Sequence, residues 1–352
     1  MLRTPRGERI AGGRIAAMDL DVVFLGTSGS MPTASRAPAA LLVRRGGERL
    51  LFDCAEGTQR QLLRSEIGLV ELREIFLTHY HADHYLGLPG MLKTFALRGR
   101  AVPLTVYGPP GLVSLFRTLK RIFGQLTYPL DLWELKPDDV LERGEYRIAA
   151  FPVAHGVSAV GYALVEEARP GRFDVEAADA LGVPPGPERG MLQRGESVTL
   201  ADGRTITPDA VLGEPRPGRK LVLTGDTVPA ASVLEAARDA DLLIHDATFC
   251  DEEEERARET AHATARQAAE LARAAQVRML ALTHLSNRYF GPELVREAQE
   301  VFPETVVPRD FDIIELRFQE RGGPRLVKRG ARRKRDEAAA GREAVPLEEG
   351  SA

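Results

Sequence analysis

The sequence predicts an α/β fold in which short apolar strands alternate with amphipathic helices, interrupted once by a long insertion. Three observations predict it. Compact apolar runs recur with helical patterns between them. Several of those runs end in a histidine or an aspartate, namely His79, His155, Asp226, His245 and His284. Residues 166–220 are rich in Gly and Pro and too irregular for a connection inside a core, so they read as an inserted arm that protrudes from the domain.

Taken in order, residues 1–17 are Arg/Gly/Ala-rich and offer nothing to a core, which predicts a disordered leader. A strand starts near Met18. Ala39–Val43 and Leu50–Asp53 read as two more, separated by the Gly46-Gly47 turn. Gln59 to Ile67 is a helix, and Glu74–Leu77 is a short buried strand. Segment 112–123 is an amphipathic helix with Leu112, Leu115, Phe116, Leu119, Ile122 and Phe123 on one face. Trp133–Leu135 and Tyr146–Pro152 are strands. After the arm come strand Leu221–Thr224, helix Ala230–Asp239, strand Asp241–His245, helix Thr264–Ala275, strand Val277–Thr283, helix Pro292–Val301 and strand Asp312–Arg317. The folded domain therefore spans 18–320. The tail 321–352, first basic (Arg332-Arg333-Lys334-Arg335) and then acidic, has no apolar period and reads as disordered.

Composition narrows the class. With 43% hydrophobic and 28% charged residues the 352-residue chain is ordinary for a soluble protein. A net charge of −4 excludes a global polycation, so nucleic-acid binding would have to come from local patches. Two cysteines make no disulfide framework, and there is neither a secretory segment nor a membrane-spanning run, which points to a reducing cytoplasm. One local patch stands out. From Tyr85 to Leu130 there is no acidic residue, while Lys93, Arg98, Arg100, Arg117, Lys120 and Arg121 all fall within it.

The chemistry starts at His79-Tyr80-His81-Ala82-Asp83-His84, at the end of an apolar strand. Three imidazoles and a carboxylate so close together suit a borderline-soft divalent ion such as zinc. Strand ends of an α/β sheet share one edge, so His155, Asp226 and His284 can converge on the same cleft. His79, His81 and His155 could hold one zinc ion; Asp83, His84 and His284 could hold a second, with Asp226 bridging. Two such ions clamp a phosphate and acidify a shared water.

Those residues carry a resemblance. The HYHADH stretch with His155, Asp226 and His284 resembles the metallo-β-lactamase superfamily, and within it the chain resembles the ribonuclease Z family of tRNA 3′-processing endonucleases. The motifs that carry the likeness are LGTSGSMPT at 25–33, FDCAEGTQRQL at 52–62, LTHYHADHYLGLPG at 77–90 and YGPPGL at 107–112. Further on come GRFDVEAADALGVPPGP at 171–187, TGDT at 224–227, HDATF at 245–249, HATARQAAELA at 262–272 and LTHLSNRY at 282–289. The arm and HATARQAA are what separate this family from other hydrolases sharing the HxHxDH core.

The resemblance implies a metallo-β-lactamase-like αβ/βα four-layer sandwich and two zinc ions (Zn2+) per subunit. It implies that Asp83 orients or deprotonates the attacking water and that His262 protonates the departing oxygen. Asp246, with His245, matches the place where the family carries a glutamate supporting the catalytic histidine, one methylene longer. Arg189 and Arg194 are left as phosphate contacts of the arm, since Met191 and Gln193 stand where the family has lysines. The implied activity is removal of the 3′ trailer from precursor tRNA by zinc-bound hydroxide, in a homodimer whose arms present tRNA across the pair. The competing readings are a dizinc hydrolase of small phosphodiesters or thioesters, which needs no arm, and a non-catalytic RNA-binding protein, which needs no His262.

Overall fold

The computed structural model describes residues 19–65, 67–69 and 72–329; the leader expected at 1–17 and the chain beyond 329 lie outside the described residues. The first strand, β1 (Leu20–Gly26), is buried along its whole length. Val22 and Phe24 turn one way and Val23 and Leu25 the other, so alternation delivers each pair to a different core. Strands β2 (Ala40–Arg45) and β3 (Glu48–Phe52) follow antiparallel through a turn in which Gly46 has φ 52°. Parallel strands β4 (Glu74–Phe76), β5 (Leu104–Gly108) and β6 (Leu130–Glu134) extend the sheet.

A second sheet starts with β7 (Val140–Glu142), β8 (Tyr146–Pro152) and β9 (Val160–Glu166). The arm contributes only its own hairpin, β10 (Val198–Thr199) with β11 (Thr205–Ile206). Strands β12 (Lys220–Leu223), β13 (Leu242–Asp246), β14 (Leu280–Thr283) and β15 (Thr305–Val306) complete the second sheet in the order β15-β14-β13-β12-β9-β8-β7. The chain then returns to the first sheet with β16 (Ile313–Leu316) and β17 (Pro324–Val327), giving β17-β16-β1-β2-β3-β4-β5-β6.

Helices α1 (Thr58–Arg64), α2 (Ala82–Tyr85), α3 (Leu88–Leu97) and α4 (Leu112–Phe123) belong to the first half of the chain. Leu62, Met91, Leu92, Phe95, Phe116 and Leu119 from α1, α3 and α4 cover the outer face of the first sheet. The arm holds α5 (Val175–Ala180) and α6 (Pro187–Gln193). Helices α7 (Ala231–Ala237), α8 (Glu254–Glu259), α9 (Ala265–Ala274) and α10 (Pro292–Gln299) follow. Val233, Ala268, Ala269 and Leu294 from α7, α9 and α10 pack on the outer face of the second sheet. Between the sheets lies a third apolar layer, in which Phe52 stacks on Phe76 (4.9 Å), Phe76 on Tyr107 (4.6 Å), and Tyr162 meets Phe76 edge-on (5.5 Å). Helix, sheet, sheet, helix is the expected four-layer sandwich. The Tyr162 hydroxyl donates to the Leu77 carbonyl at 2.7 Å, which ties the second sheet to the first just ahead of His79.

Three expectations need correction. The fold does not stop at 320: a turn with Gly322 and Gly323 at φ 97° and 69° reverses the chain, and β17 zips onto β16 with Leu326 against the inter-sheet core. Proline at the first position of this edge strand costs no ladder bond. Ile122 is 70% exposed, outside the stripe of Leu112, Phe116, Leu119 and Phe123. The arm, finally, is not irregular. Asp174 caps α5 by accepting from the Ala177 N–H, and Ala178, Val183, Leu192, Val198, Ile206 and Val211 form a small core of its own.

Candidate metal centre

Each metal-site residue of the second sheet sits where a strand has just ended. His155 follows β8, Asp226 follows β12, Asp246 closes β13 and His284 follows β14, all at one end of that sheet. The metal loop reaches the same place from β4, with His81 at the N-cap of α2 and Asp83 and His84 inside it. Three groups of donors converge: His79, His81, His155 with Asp226; Asp83, His84 with His284; and Asp226, Asp246, His262 with His284.

The first group has the spacing of a coordination shell. His81 Nδ1 lies 3.1 Å from His79 Nε2 and 3.1 Å from His155 Nε2. Ligands about 2.05 Å from a tetrahedral zinc stand roughly 3.3 Å apart, close to these separations. Asp226 Oδ2 lies 3.6 Å from His79 Nε2, 3.3 Å from His84 Nε2 and 3.2 Å from His284 Nε2, so one carboxylate faces both groups. Its Oδ1 and His84 Nε2 are buried with no hydrogen-bond partner among the described residues. Buried polar atoms left unpaired are costly, and a cation in the cleft would satisfy them. The residues therefore fit a pair of divalent ions.

In His79, His84, His155 and His284 the second ring nitrogen fixes the orientation. His84 Nδ1 lies 2.8 Å from Asp53 Oδ2, His155 Nδ1 2.8 Å from the Ala261 carbonyl, and His284 Nδ1 2.8 Å from Thr248 Oγ1. His79 Nδ1 meets Thr78 Oγ1 at 3.0 Å, and Thr78 in turn donates to Asp53. Such outer partners hold the nitrogen that faces the cleft in place. The backbone is bent to serve them: Ser30, Asp53, Ala261 and His284 all have positive φ (61°, 56°, 58° and 59°) without being glycine. Ser30 uses that conformation to donate its N–H to Asp83 Oδ2 at 2.8 Å.

Charge is arranged to match. Burial lowers the His79 pKa well below 6.5, and the neighbouring His84 lowers it further; burial and His155 also lower that of His81. Burial opposes a charge on His84 too, but Asp226 and Asp53 outweigh it and raise its pKa. Asp83 and Asp226 are held below the usual carboxylate range despite burial, Asp83 by His284 and His84, Asp226 by His284 and His84 at greater depth.

His262 stands just before α9, which opens with a capping box between Thr264 and Gln267. Its ring stacks on His284 at 4.9 Å, and its Nδ1 meets Asp246 Oδ2 at 2.8 Å. The shorter side chain of Asp246 thus reaches the imidazole. Burial works against a charge on His262, but Asp246 outweighs it and raises the pKa to about 9. Asp246 is itself fixed by the Thr227 and Thr248 N–H groups and the Thr248 hydroxyl.

His245 does not belong to the site. It follows Leu243 onto the helix-covered face of β13, while Ile244 and Asp246 take the other face. It is fully buried, its Nδ1 meets the Asp246 carbonyl, and it joins none of the donor groups. Arg189 is not a free cation either. Its guanidinium binds Asp179 and the Val183 carbonyl inside the arm, and the side chain is 14% exposed. Arg194 is exposed, with Glu196 at 2.9 Å. Asp53, Thr248 and Ser30 are the functional residues that spacing did not single out. Asp53 directly follows β3, so the strand-end signal that pointed to Asp226 was present there as well.

The sequence profile of the metallo-beta-lactamase superfamily matches residues 36–284. The ribonuclease Z of Methanosarcina acetivorans is 46% identical over 303 residues, covering 85% of this chain and 99% of that protein. The ribonuclease Z of Myxococcus xanthus is 50% identical over 271 residues, covering 77% and 88%. Among solved structures, the short form of human tRNase Z superposes with a TM-score of 0.61 at 27% identity, over 84% of this chain and 98% of that one.

Proposed function

This chain belongs to the metallo-beta-lactamase superfamily and, within it, to the ribonuclease Z family, and we propose that it removes the 3′ trailer from precursor tRNA at a centre of two zinc ions. It is an endoribonuclease of the tRNase Z type. The observation that carries the reading is the convergence of the metal donors with a hydrogen-bonded His262–Asp246 pair at one cleft, in a chain that also carries a self-folded arm.

His79, His81 and His155 would hold one ion, Asp83, His84 and His284 the other, with Asp226 shared. Bound there, the ions supply Lewis acidity toward the phosphate and make a water acidic enough to attack near neutral pH. Everything else is done by side chains. Asp83, pinned by the Ser30 N–H, stays ionised and accepts from the water, fixing its line of attack. His262 keeps Nδ1 toward Asp246, so its other ring nitrogen donates the proton that the departing 3′ oxygen needs. The phosphorus–O3′ bond breaks, the tRNA keeps a 3′-hydroxyl, and the phosphate leaves on the trailer.

Exposed Arg117, Lys120 and Arg121 on α4, with Arg194 in the arm, are the cations we assign to the tRNA backbone. The YGPPGL turn ahead of α4 packs on Tyr80, within the metal loop, so this basic helix adjoins the cleft. A homodimer is part of the proposal. The arm leaves from the far ends of β9 and β12, about 20 Å along seven extended residues from the metal end, which suits delivery of RNA to a second subunit. Two buried free cysteines accord with a cytoplasmic protein, and among the described residues no helix is long and apolar enough to cross a membrane.

The test is incubation of the purified protein with a 3′-extended tRNA, with and without chelator, followed by mapping of the new 3′ end. A chelator-sensitive cut at the 3′ end of the acceptor stem supports the reading. Cleavage elsewhere, or none with metal restored, overturns it.

A further inference from the structure

A groove of about 1130 Å³ opens on the far side of the loop that holds Asp83. It is larger than the pockets that take small ligands, about 300–1,000 Å³, and suits a polymer. One wall is residues 32–38 of that loop; the others come from α1, from the segment after His284 and from residues 305–312 and 326–329. Its charge is one-sided. Arg60, Arg64, Arg309, Lys328 and Arg329 are exposed along it, against one exposed carboxylate, Glu56. Asp310 and Asp312 also line it but are turned inward, Asp310 accepting from Thr27, Ala37 and Gln61, and Asp312 from the Arg309 and Arg329 N–H groups. Arg64 and Arg329 stack over Phe311 at 5.3 and 4.5 Å. Among the described residues, no carboxylate pairs with the side chains of Arg60, Arg309 or Lys328.

One loop borders both the groove and the cleft. Gly29 and Ser30 touch His284 and Asp83, and the same loop runs on as the groove wall. On the lip between them stand Met31 (51% exposed) with Asn287 against its sulfur, and then Phe290, six residues after His284 and 82% exposed. A bare phenylalanine above a row of cations is poor design for a duplex, whose bases are already stacked. It suits unpaired nucleotides, whose bases stack on aromatic rings while cations track their phosphates.

We propose that this groove is a binding track for the single-stranded RNA downstream of the cut, with Phe290 stacking a trailer base and Arg60, Arg309 and Lys328 meeting its phosphates. The proposal rests on the tRNA-processing reading for its ligand, but its test separates the two. The probes are a labelled unstructured 12-nucleotide RNA, followed by fluorescence anisotropy, and two precursor tRNAs with trailers of one and of twelve nucleotides. The variants are Phe290→Ala and the pair Arg309→Gln with Lys328→Gln.

Wild type should bind the 12-mer, and Phe290→Ala should weaken it by roughly five-fold or more, the lower end for loss of a stacked base. The double variant should reduce the slope of log K against log salt by about 1.4, two phosphate contacts on a single strand. The KM for the long-trailer substrate should rise in both, relative to that for the short one. If the 12-mer binds in this way but no precursor is cut, the groove stands and the processing reading falls. Equal losses on short and long trailers, an unchanged 12-mer affinity, or competition by an RNA duplex as strong as by the single strand would overturn the track. So would variants that turn from dimer to monomer on gel filtration, which would make the groove a contact between copies of the chain.

Discussion

Gly29 is a sharp test of how tightly the metal site is built. An alanine Cβ at that position would lie 2.7 Å from Nδ1, 2.8 Å from Cε1 and 2.8 Å from the carbonyl oxygen of His284. Comfortable contacts are roughly 3.5–4.0 Å, so the histidine must withdraw by the better part of an ångström. It has nowhere to go. Thr248 holds Nδ1 at 2.8 Å, Asp83 and Asp226 both stand 3.2 Å from Nε2, and the residue is already at φ 59°. Gly29 itself lies outside the left-handed region, so the effect of Gly29→Ala is steric and local. Displacements near 1 Å at a reacting centre cost on the order of 100-fold in rate, and disturbing a ligand's support costs about 10–100-fold in metal affinity. Since His284 belongs to the group with Asp83 and His84 and not to that of His79, His81 and His155, only one subsite should weaken. The expected outcome is about a 100-fold fall in kcat on a 3′-extended tRNA, with metal content after dialysis falling toward one ion per subunit and the circular dichroism spectrum unchanged. A Gly29→Ala protein that keeps both ions and the wild-type rate would refute the reasoning.

Other outcomes follow from the same geometry. Asp246→Asn removes the charge that lifts the His262 pKa to about 9. A full return to 6.5 would leave roughly 3% of His262 protonated at pH 8 instead of about 90%, so the alkaline limb of the pH–rate profile should move down by up to about 2.5 units; an unmoved limb would contradict the acid role. Arg189→Ala should loosen the arm by removing its ties to Asp179 and Val183, which hydrogen exchange over 174–212 would register, while Arg194→Ala should weaken tRNA binding alone. Identical behaviour of the two variants would count against that division. Glu166 links Arg45 of the first sheet to Arg219 at the arm's root, at 3.0 and 2.7 Å. Burial raises its pKa, but hydrogen bonds and charge from Arg219, with Arg45, bring it below the usual value. A depressed folded pKa contributes stability above the unfolded pKa of about 4.3, lost as pH falls through the folded value. Glu166→Gln should therefore cost about 3–5 kcal/mol at pH 7, with the gap in Tm narrowing below pH 4; a gap independent of pH would argue for lost packing instead.

The seven residues expected to hold metal were legible in the sequence because their signals are local, and the fold gathers them into donor groups. HYHADH is dense enough to have one use, and His155, Asp226 and His284 each follow an apolar run whose end an α/β sheet must place at a shared edge. The arm was legible as an interruption of that rhythm. Its internal core was not, since the residues that form it are scattered from Ala178 to Val211 and meet only when the segment closes on itself. For the same reason Arg189 looked like a phosphate contact: its partners, Asp179 and the Val183 carbonyl, are set by a helix–turn–helix that sequence spacing does not orient.

Position 245 against 246 marks the boundary most clearly. Strand β13 is covered on both faces, by helices on one side and by the first sheet on the other, so Leu242-Leu243-Ile244 is apolar throughout and carries no alternation from which the phase could be read. Either neighbour could have faced the cleft. Only pairing in register with β12 and β14 turned Asp246 toward His262 and His245 toward the helices. Likewise β17 exists because β16 offers it an edge, and Asp53 supports His84 because a left-handed backbone turn carries it across to the metal loop. The sequence by itself determined which atoms can bind metal, since that depends on residue type. Tertiary structure decided what holds those atoms still, since that depends on contacts between segments that are remote along the chain.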